Sequence, residues 1–185
     1  VTEDAERTMN TFLGITSNLS EQDLFLEELK AAQYLYIEGY LVTSDVSRHA
    51  VMKAREVARQ HHIKIAMTFS DPSMAKYFQT GLQEMLGDGV DLLFCNEEEA
   101  MTFTNTTDLM SAVQALQPLA KKMVITRGIK GALIVSDGQH LDIASVPVQA
   151  VDTNGAGDVF AGAFLYGVTQ GMSDEQAGRL ASLSA

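Results

Sequence analysis

The feature that most constrains the fold is a regular alternation of short apolar segments with longer segments of helical periodicity. The strand candidates are AQYLYIEGYLV, IKIAMTF, VDLLFCN, KMVITRG and GALIVSDG. The helix candidates between and after them are SDVSRHAVMKAREVARQHH, SMAKYFQTGLQEML, a segment from EEEAMTF, DLMSAVQALQPLA and SDEQAGRLASLSA. This alternation predicts a mainly parallel sheet with helices on both faces, and the run Leu92, Leu93, Phe94 is typical of a strand buried on both sides.

Composition excludes several classes of protein. With 46% hydrophobic and 20% charged residues, the chain has the composition of a globular domain rather than a disordered one. A net charge of -11 argues against a nucleic acid as the main partner, and no apolar run is long enough to span a membrane. Cys95 is the only cysteine, so no internal disulfide can form, which favours the reducing cytoplasm.

The two ends of the chain predict its domain organisation. Residues 1–14, which contain AERTMNTFLG, are expected to form a lid or a strand at a sheet edge. Residues 15–185 are expected to form an α/β core. The chain starts at Val1 and finishes in a helix-like segment without a stop signal, so we expect this core to be incomplete at both ends.

The stretch VDTNGAGDVFAGAFLYG, residues 151–167, has the strongest chemical signal. Gly155 and Gly157 allow a tight turn and a close approach to a ligand, and a helix is expected to begin near Gly155. Because Phe160 and the residues that follow are apolar or small on nearly all faces, this helix is predicted to be buried. The N–H groups at its start would suit phosphate, and Asp158 could then accept a proton from an attacking hydroxyl group.

A simpler alternative for Asp158 alone is a favourable interaction with the helix dipole, which is common for acids in a first helical turn. The full spacing D-T-x-G-A-G-D makes that alternative less satisfactory. Other phosphate motifs are absent from the sequence: there is no G-x-x-x-x-G-K-[ST], and the third glycine of a dinucleotide fingerprint would fall at Phe160. Neither the protein-kinase signature set nor a zinc motif is present.

The segment DTNGAGD resembles the signature of the PfkB/ribokinase family of carbohydrate and nucleoside kinases. Three further segments agree in order, namely YIEGYL, the N-x-x-E element at Asn96 and Glu99, and the T-x-G-x-x-G turn. FCNEEEAMTF and DTNGAGDVFAGAFL look most like the adenosine kinase branch. The resemblance implies a three-layer α/β/α ribokinase-like fold and the later part of a kinase, with its small lid only partly represented.

The resemblance also implies roles for the matching residues. Asp158 would be the catalytic base, and the anion hole would comprise Gly155, Ala156 and Gly157. Asn96 and Glu99 would order Mg²⁺ through water. The ATP site would include Asn96, Thr126, Gly128 and Gly131, and a monovalent cation, usually K⁺, would be held by Asp152 and the carbonyl group of Asn154. Glu97, Glu98 and Glu99 could otherwise be solvated acids at a helix start, and Arg127 could contact a phosphate or form an ion pair.

The expected activity is transfer of the γ-phosphoryl group of ATP to a primary hydroxyl group. The first choice of acceptor is a nucleoside such as adenosine, and the alternative is a sugar such as ribose or fructose. A third possibility is a nucleotide-binding regulatory protein without turnover. We expect Mg²⁺ as a cofactor, no nucleic-acid or membrane partner, and a monomer or a homodimer.

Overall fold

The computed structural model describes residues 12–148 and 152–185. Within these ranges the chain divides into two compact units, Leu13–Ile125 and Thr126–Ala185. Residues 1–11, and with them most of the expected lid or edge strand, lie outside the described residues. The last residue of that segment, Gly14, begins a short 3-10 helix, Gly14–Asn18.

The strands form a six-stranded sheet in the order β1-β2-β3-β4-β5-β6. Strands β1 and β2 are parallel, as are β2 and β3, whereas β5 and β6 are antiparallel. The predicted α/β architecture with a mainly parallel central sheet is present. The strands are β1 Tyr34–Ile37, β2 Lys64–Thr68, β3 Val90–Asn96, β4 Ala120–Thr126, β5 Ala132–Ser136 and β6 Gln139–Ile143.

Helices connect most of these strands. The α-helices are α1 Leu26–Lys30, α2 Asp45–Gln60, α3 Pro72–Tyr77, α4 Gln79–Leu86, α5 Glu97–Thr104, α6 Leu109–Leu116, α7 Ala156–Thr169 and α8 Asp174–Ser184. Shorter 3-10 helices are Glu21–Asp23, Gly39–Thr43, Gln117–Leu119 and Gly128–Lys130. None of the helices in the described ranges is long and apolar enough to cross a membrane.

In the first unit, the structure agrees with the local sequence signals for a helix cap and for a buried strand. Ser44 caps α2 by accepting a hydrogen bond from the N–H of Ser47, at 3.4 Å, as its position before the apolar periodicity indicates. The predicted buried strand is also confirmed, because Leu92, Leu93 and Phe94 in β3 are at most 5% exposed. Apolar side chains from β2, β3 and the surrounding helices therefore form the core of this unit.

Two segment predictions in the first unit differ in detail from the structure. The helix expected over SMAKYFQTGLQEML is two helices, because Phe78 (φ -124°, ψ 27°) leaves helical geometry between α3 and α4. The strand candidate AQYLYIEGYLV, which was expected to end near Gly39, ends at Ile37, and a 3-10 helix begins at Gly39. A side chain at Gly39 would lie only 2.4 Å from the carbonyl oxygen of Phe69, so glycine permits this close approach of two backbones.

The second unit contains a hairpin and a helix pair. Strand β6 was not predicted, although Asp137 and Gly138 both adopt positive φ (51° and 74°) in the two-residue turn that joins it to β5. Helices α7 and α8 approach closely at Gly167, where a Cβ would lie 2.8 Å from that of Ala177.

The expectation that α7 is buried on nearly all faces was wrong. Phe160 and Phe164 are buried, but Val159 is 45% exposed and Tyr166 is 58% exposed. An apolar sequence therefore does not fix the exposure of each helix face, because neighbouring elements decide which side chains are covered.

Candidate active site

The amino-terminal end of α7 has the geometry of a tight turn into a helix. Gly155 occupies the capping position in the left-handed region (φ 79°, ψ -1°), where a residue with a side chain would be strained. No side chain caps the helix there, so neither Asp152 nor Thr153 serves as its cap. Asp152 instead accepts a 2.8 Å hydrogen bond from the N–H of Asn154.

The first turn of α7 leaves backbone donors open. The N–H group of Ala156 donates to the carbonyl oxygen of Thr153 at 3.2 Å, and that of Val159 donates to Gly155 at 2.9 Å. Among the described residues, no acceptor faces the N–H groups of Gly157 and Asp158. Since open donors at a helix start favour an anion, this turn can bind a negative group through two of its amides without rearrangement.

The carboxylate of Asp158 lies in the same turn as these donors. Asp158 is exposed and lies in the first turn of α7. A ligand that approaches the open N–H groups therefore meets a carboxylate in the same helical turn. That arrangement could serve either proton acceptance or a favourable interaction with the helix dipole.

The T-x-G-x-x-G turn is held tightly by its own backbone. The N–H group of Arg127 donates to the carbonyl oxygen of Gly131 at 2.8 Å, and that of Gly131 donates to Gly128 at 2.9 Å. The hydroxyl group of Ser145 donates to the carbonyl oxygen of Ile129 at 2.6 Å. These hydrogen bonds hold the turn in one conformation. Thr126, the first residue of the motif, is also the last residue of β4.

Of the two roles left open for Arg127, the structure contains the ion pair. Its guanidinium group lies 2.5 Å from the carboxylate of Asp142 on β6. The same group reaches the carbonyl oxygen of Ala132 at 3.5 Å. These contacts occupy Arg127 within the hairpin.

Asn96 and Glu99 form a reciprocal capping box at the start of α5. The side-chain oxygen of Asn96 accepts from the N–H of Glu99 at 2.7 Å. The Glu99 carboxylate accepts from the backbone N–H of Asn96 at 3.0 Å and from its side-chain amide at 2.9 Å. The N-x-x-E spacing thus brings these two residues into direct contact at the carboxyl end of β3.

The carboxyl group of Glu99 lies in an unusual environment. The residue is 6% exposed, and burial raises the pKa of its carboxyl group to about 7. The hydrogen bond from Asn96 lowers this pKa, whereas the nearby charges of Asp71 and Glu98 raise it further. Within the described part of the chain, no basic side chain is among the causes of this shift in pKa. Glu99 is therefore a buried acid whose charge lacks a cationic partner among the described residues.

This environment fits a magnesium ion bound through water. Within residues 12–148 and 152–185, no group of three or more potential metal-ligating side chains of His, Cys, Asp or Glu is found. Mg²⁺ does not require such a group, because it keeps several waters and commonly binds through one or two carboxylates and substrate phosphates. A buried carboxylate without a counter-charge is consistent with that mode of binding.

Replacing Glu99 by glutamine is expected to remove a pH-dependent loss of stability. Because the pKa of Glu99 is raised from 4.5 to about 7 on folding, its ionisation destabilises the folded state as pH rises through this window. This loss in the free energy of unfolding is absent below about pH 4.5 and complete above about pH 7. It amounts to roughly 3 kcal/mol. Urea unfolding at several pH values should show this decline for the native chain but not for Glu99→Gln.

Glu98→Gln is the matched control, since Glu98 lies in the same helical turn but is exposed. It should retain most of the decline. An equal decline in Glu99→Gln and in the native chain would show that Glu99 ionises as easily in the folded state as in the unfolded state.

Sequence reasoning missed a polar cluster at the carboxyl ends of β1 and β2. Ser70, which has a left-handed backbone (φ 68°), donates a 2.8 Å hydrogen bond to Glu38 and accepts one of 2.8 Å from the N–H of Gly39. Asp71 follows and caps α3 through the N–H of Ser73 at 2.7 Å. The rule that ligands bind at the carboxyl ends of parallel strands could have singled out these residues.

Known proteins match this chain over most of its length. The chain matches the pfkB family carbohydrate kinase profile over residues 1–185. Adenosine kinase from Saccharomyces cerevisiae is 29% identical over 180 residues, which cover 89% of this chain and 52% of the yeast protein. The chain therefore spans about half the length of the curated relatives it matches.

Solved structures confirm the predicted three-layer α/β/α ribokinase-like fold. A probable sugar kinase from Rhizobium etli CFN 42 is 34% identical with a TM-score of 0.94, covering 100% of this chain and 56% of that protein. Adenosine kinase from Sinorhizobium meliloti is 33% identical with a TM-score of 0.94, covering 100% and 57%. A ribokinase II candidate from E. coli, solved with ATP and Mg²⁺, is 25% identical with a TM-score of 0.81, covering 89% and 55%. Since the family profile matches the chain from end to end, the chain belongs to the pfkB family of carbohydrate kinases.

Proposed function

We propose that the complete protein transfers the γ-phosphoryl group of ATP to a primary hydroxyl group of a nucleoside such as adenosine. The observation that carries this proposal is the first turn of α7. There, open N–H groups on Gly157 and Asp158 lie in the same turn as the carboxylate of Asp158. Phosphoryl transfer needs both features, because charge develops on the phosphoryl oxygens while the nucleophile loses a proton.

In the proposed reaction, the acceptor hydroxyl group gives its proton to Asp158. Its oxygen forms a bond to the γ-phosphorus as the bond from that phosphorus to the bridging oxygen of ADP breaks. Gly155, Ala156 and Gly157 form the anion hole. The N–H group of Ala156 would first have to leave the carbonyl oxygen of Thr153, so Gly155 and Gly157 are the donors of this set that are ready to act.

Cofactor binding is proposed on the remaining residues. Asn96 and Glu99 would hold Mg²⁺ through water, and the ion would neutralise charge on the phosphates. Support comes from the burial of Glu99 without a basic partner and from the ribokinase II candidate, which was solved with ATP and Mg²⁺. Thr126, Gly128 and Gly131 would line the ATP site, and Asp152 with the carbonyl group of Asn154 would hold K⁺.

A sugar is the second candidate acceptor, because the similar proteins include both the adenosine kinase from Sinorhizobium meliloti and the probable sugar kinase from Rhizobium etli. The test is ADP formation by the complete protein with adenosine, other nucleosides, ribose and fructose. We expect kcat/KM to be highest for adenosine. A higher value for ribose or fructose would select the sugar, and ATP binding without acceptor-dependent ADP formation would favour a regulatory protein.

A further inference from the structure

We propose that Asn154 is a site of spontaneous deamidation, which over time alters the anion-binding turn at the start of α7. The sequence contains five asparagines, at positions 10, 18, 96, 105 and 154, and only Asn154 is followed by glycine. Deamidation begins when the next backbone nitrogen attacks the asparagine side chain. Glycine hinders this attack least, because it has no side chain and the widest backbone freedom.

The conformation around Asn154 permits this reaction. Asn154 is exposed and lies before the first residue of α7, so helical hydrogen bonding does not fix it. Its backbone N–H donates to Asp152, but neither its carboxamide nor the N–H of Gly155 has a hydrogen-bond partner among residues 12–148 and 152–185. Both reacting groups are therefore available to each other.

Two of the other described asparagines provide internal comparisons. The carboxamide of Asn96 is held on both sides by Glu99, at 2.7 and 2.9 Å. Asn105 is exposed like Asn154 but is followed by Thr106, whose branched side chain shields the backbone nitrogen. Asn105 is thus a control for exposure without glycine, and Asn96 is a control for a locked side chain.

The chemistry needs only water as a co-reactant. The backbone nitrogen of Gly155 forms a bond to Cγ of Asn154 and gives up its proton, the bond from Cγ to the side-chain nitrogen breaks, and the side-chain nitrogen takes up that proton and leaves as ammonia. The resulting succinimide ring is then hydrolysed at one of its two carbonyl groups. The product is either aspartate at position 154 or isoaspartate, in which the backbone runs through the former side chain.

Either product changes the turn that the proposed function uses. A new carboxylate would lie between Asp152 and Asp158, where it would repel a phosphate group. Isoaspartate would also lengthen the backbone by one carbon immediately before Gly155. This consequence rests on the proposed function, whereas the modification itself does not.

The modification is tested by ageing the complete protein at mildly alkaline pH and 37 °C and mapping its peptides by mass spectrometry. Because of the glycine, we expect the rate at Asn154 to exceed that at Asn105 by roughly ten-fold. Asn154→Gln should show no mass increase in this peptide on the same timescale, since glutamine would have to form a larger ring. Equal rates at Asn154 and Asn105, or no change at Asn154, would overturn the proposal.

A second arm adds a non-hydrolysable ATP analogue with Mg²⁺. A phosphate bound at the turn should slow deamidation at Asn154 and leave Asn105 unchanged, and in the aged protein kcat should fall with the modified fraction. If Asn154 deamidates but the analogue gives no protection and kcat stays constant, the phosphate site is elsewhere. That result would count against the proposed function and leave the modification established.

Discussion

Replacing Asp158 by asparagine is expected to lower kcat for phosphoryl transfer by roughly 10²–10⁴-fold, the usual contribution of a general base. Asparagine has nearly the same shape but cannot accept the proton of the acceptor hydroxyl group. Affinity for ATP should be unchanged or slightly higher, because a negative charge beside the phosphate is removed. Steady-state kinetics and calorimetric titration with an ATP analogue would measure the two effects separately.

Asp174→Asn is the matched control, because Asp174 also lies in the first turn of a helix, α8. If Asp158 acted only through the helix dipole, both variants would lose similar, small amounts of stability, about 0.3–1 kcal/mol. Both would then retain full turnover. A kcat of Asp158→Asn equal to that of Asp174→Asn would therefore remove Asp158 from the mechanism.

Replacing Gly131 by alanine is expected to produce the largest loss of stability. Gly131 has φ 87° and ψ -134°, a region that residues with a side chain rarely adopt. A Cβ there would lie 1.9 Å from the carbonyl oxygen of Ile143 and 2.8 Å from the backbone nitrogen of Ser145. Because both are backbone atoms, neither can rotate away, and we expect a loss of roughly 3 kcal/mol or more in the free energy of unfolding.

Gly128→Ala separates backbone strain from the steric clash. Gly128 also has positive φ (57°), but a Cβ there would meet nothing within 4 Å. Its loss should be about 1–2 kcal/mol, the cost of placing alanine in the left-handed region. Denaturant unfolding would compare the two variants, and equal losses would show that the hairpin relaxes around the added methyl group.

The parts of the fold that depend on local signals could be predicted from the sequence. Ser44 and Asp108 cap the helices they precede, and the apolar run of β3 is a buried strand. The break at Phe78 was not predictable from periodicity, because the apolar pattern continues through it. Strand β6 was missed although Asp137 and Gly138 provide a typical hairpin signal.

In the candidate site too, some features follow from neighbouring residues in the sequence and others depend on tertiary packing. The capping box of Asn96 and Glu99 was missed, although their N-x-x-E spacing is a local signal for it. The burial that raises the pKa of Glu99, and the hydrogen bond between Ser70 and Glu38, depend on residues far apart in the chain. A single sequence does not specify such contacts, because they arise from packing between elements.

The most direct test of the central claim is a crystal structure of the complete protein with a non-hydrolysable ATP analogue and Mg²⁺. We predict that the terminal phosphate accepts hydrogen bonds from the N–H groups at the start of α7, with Gly157 among the donors. A triphosphate bound elsewhere, with those N–H groups facing solvent, would contradict it.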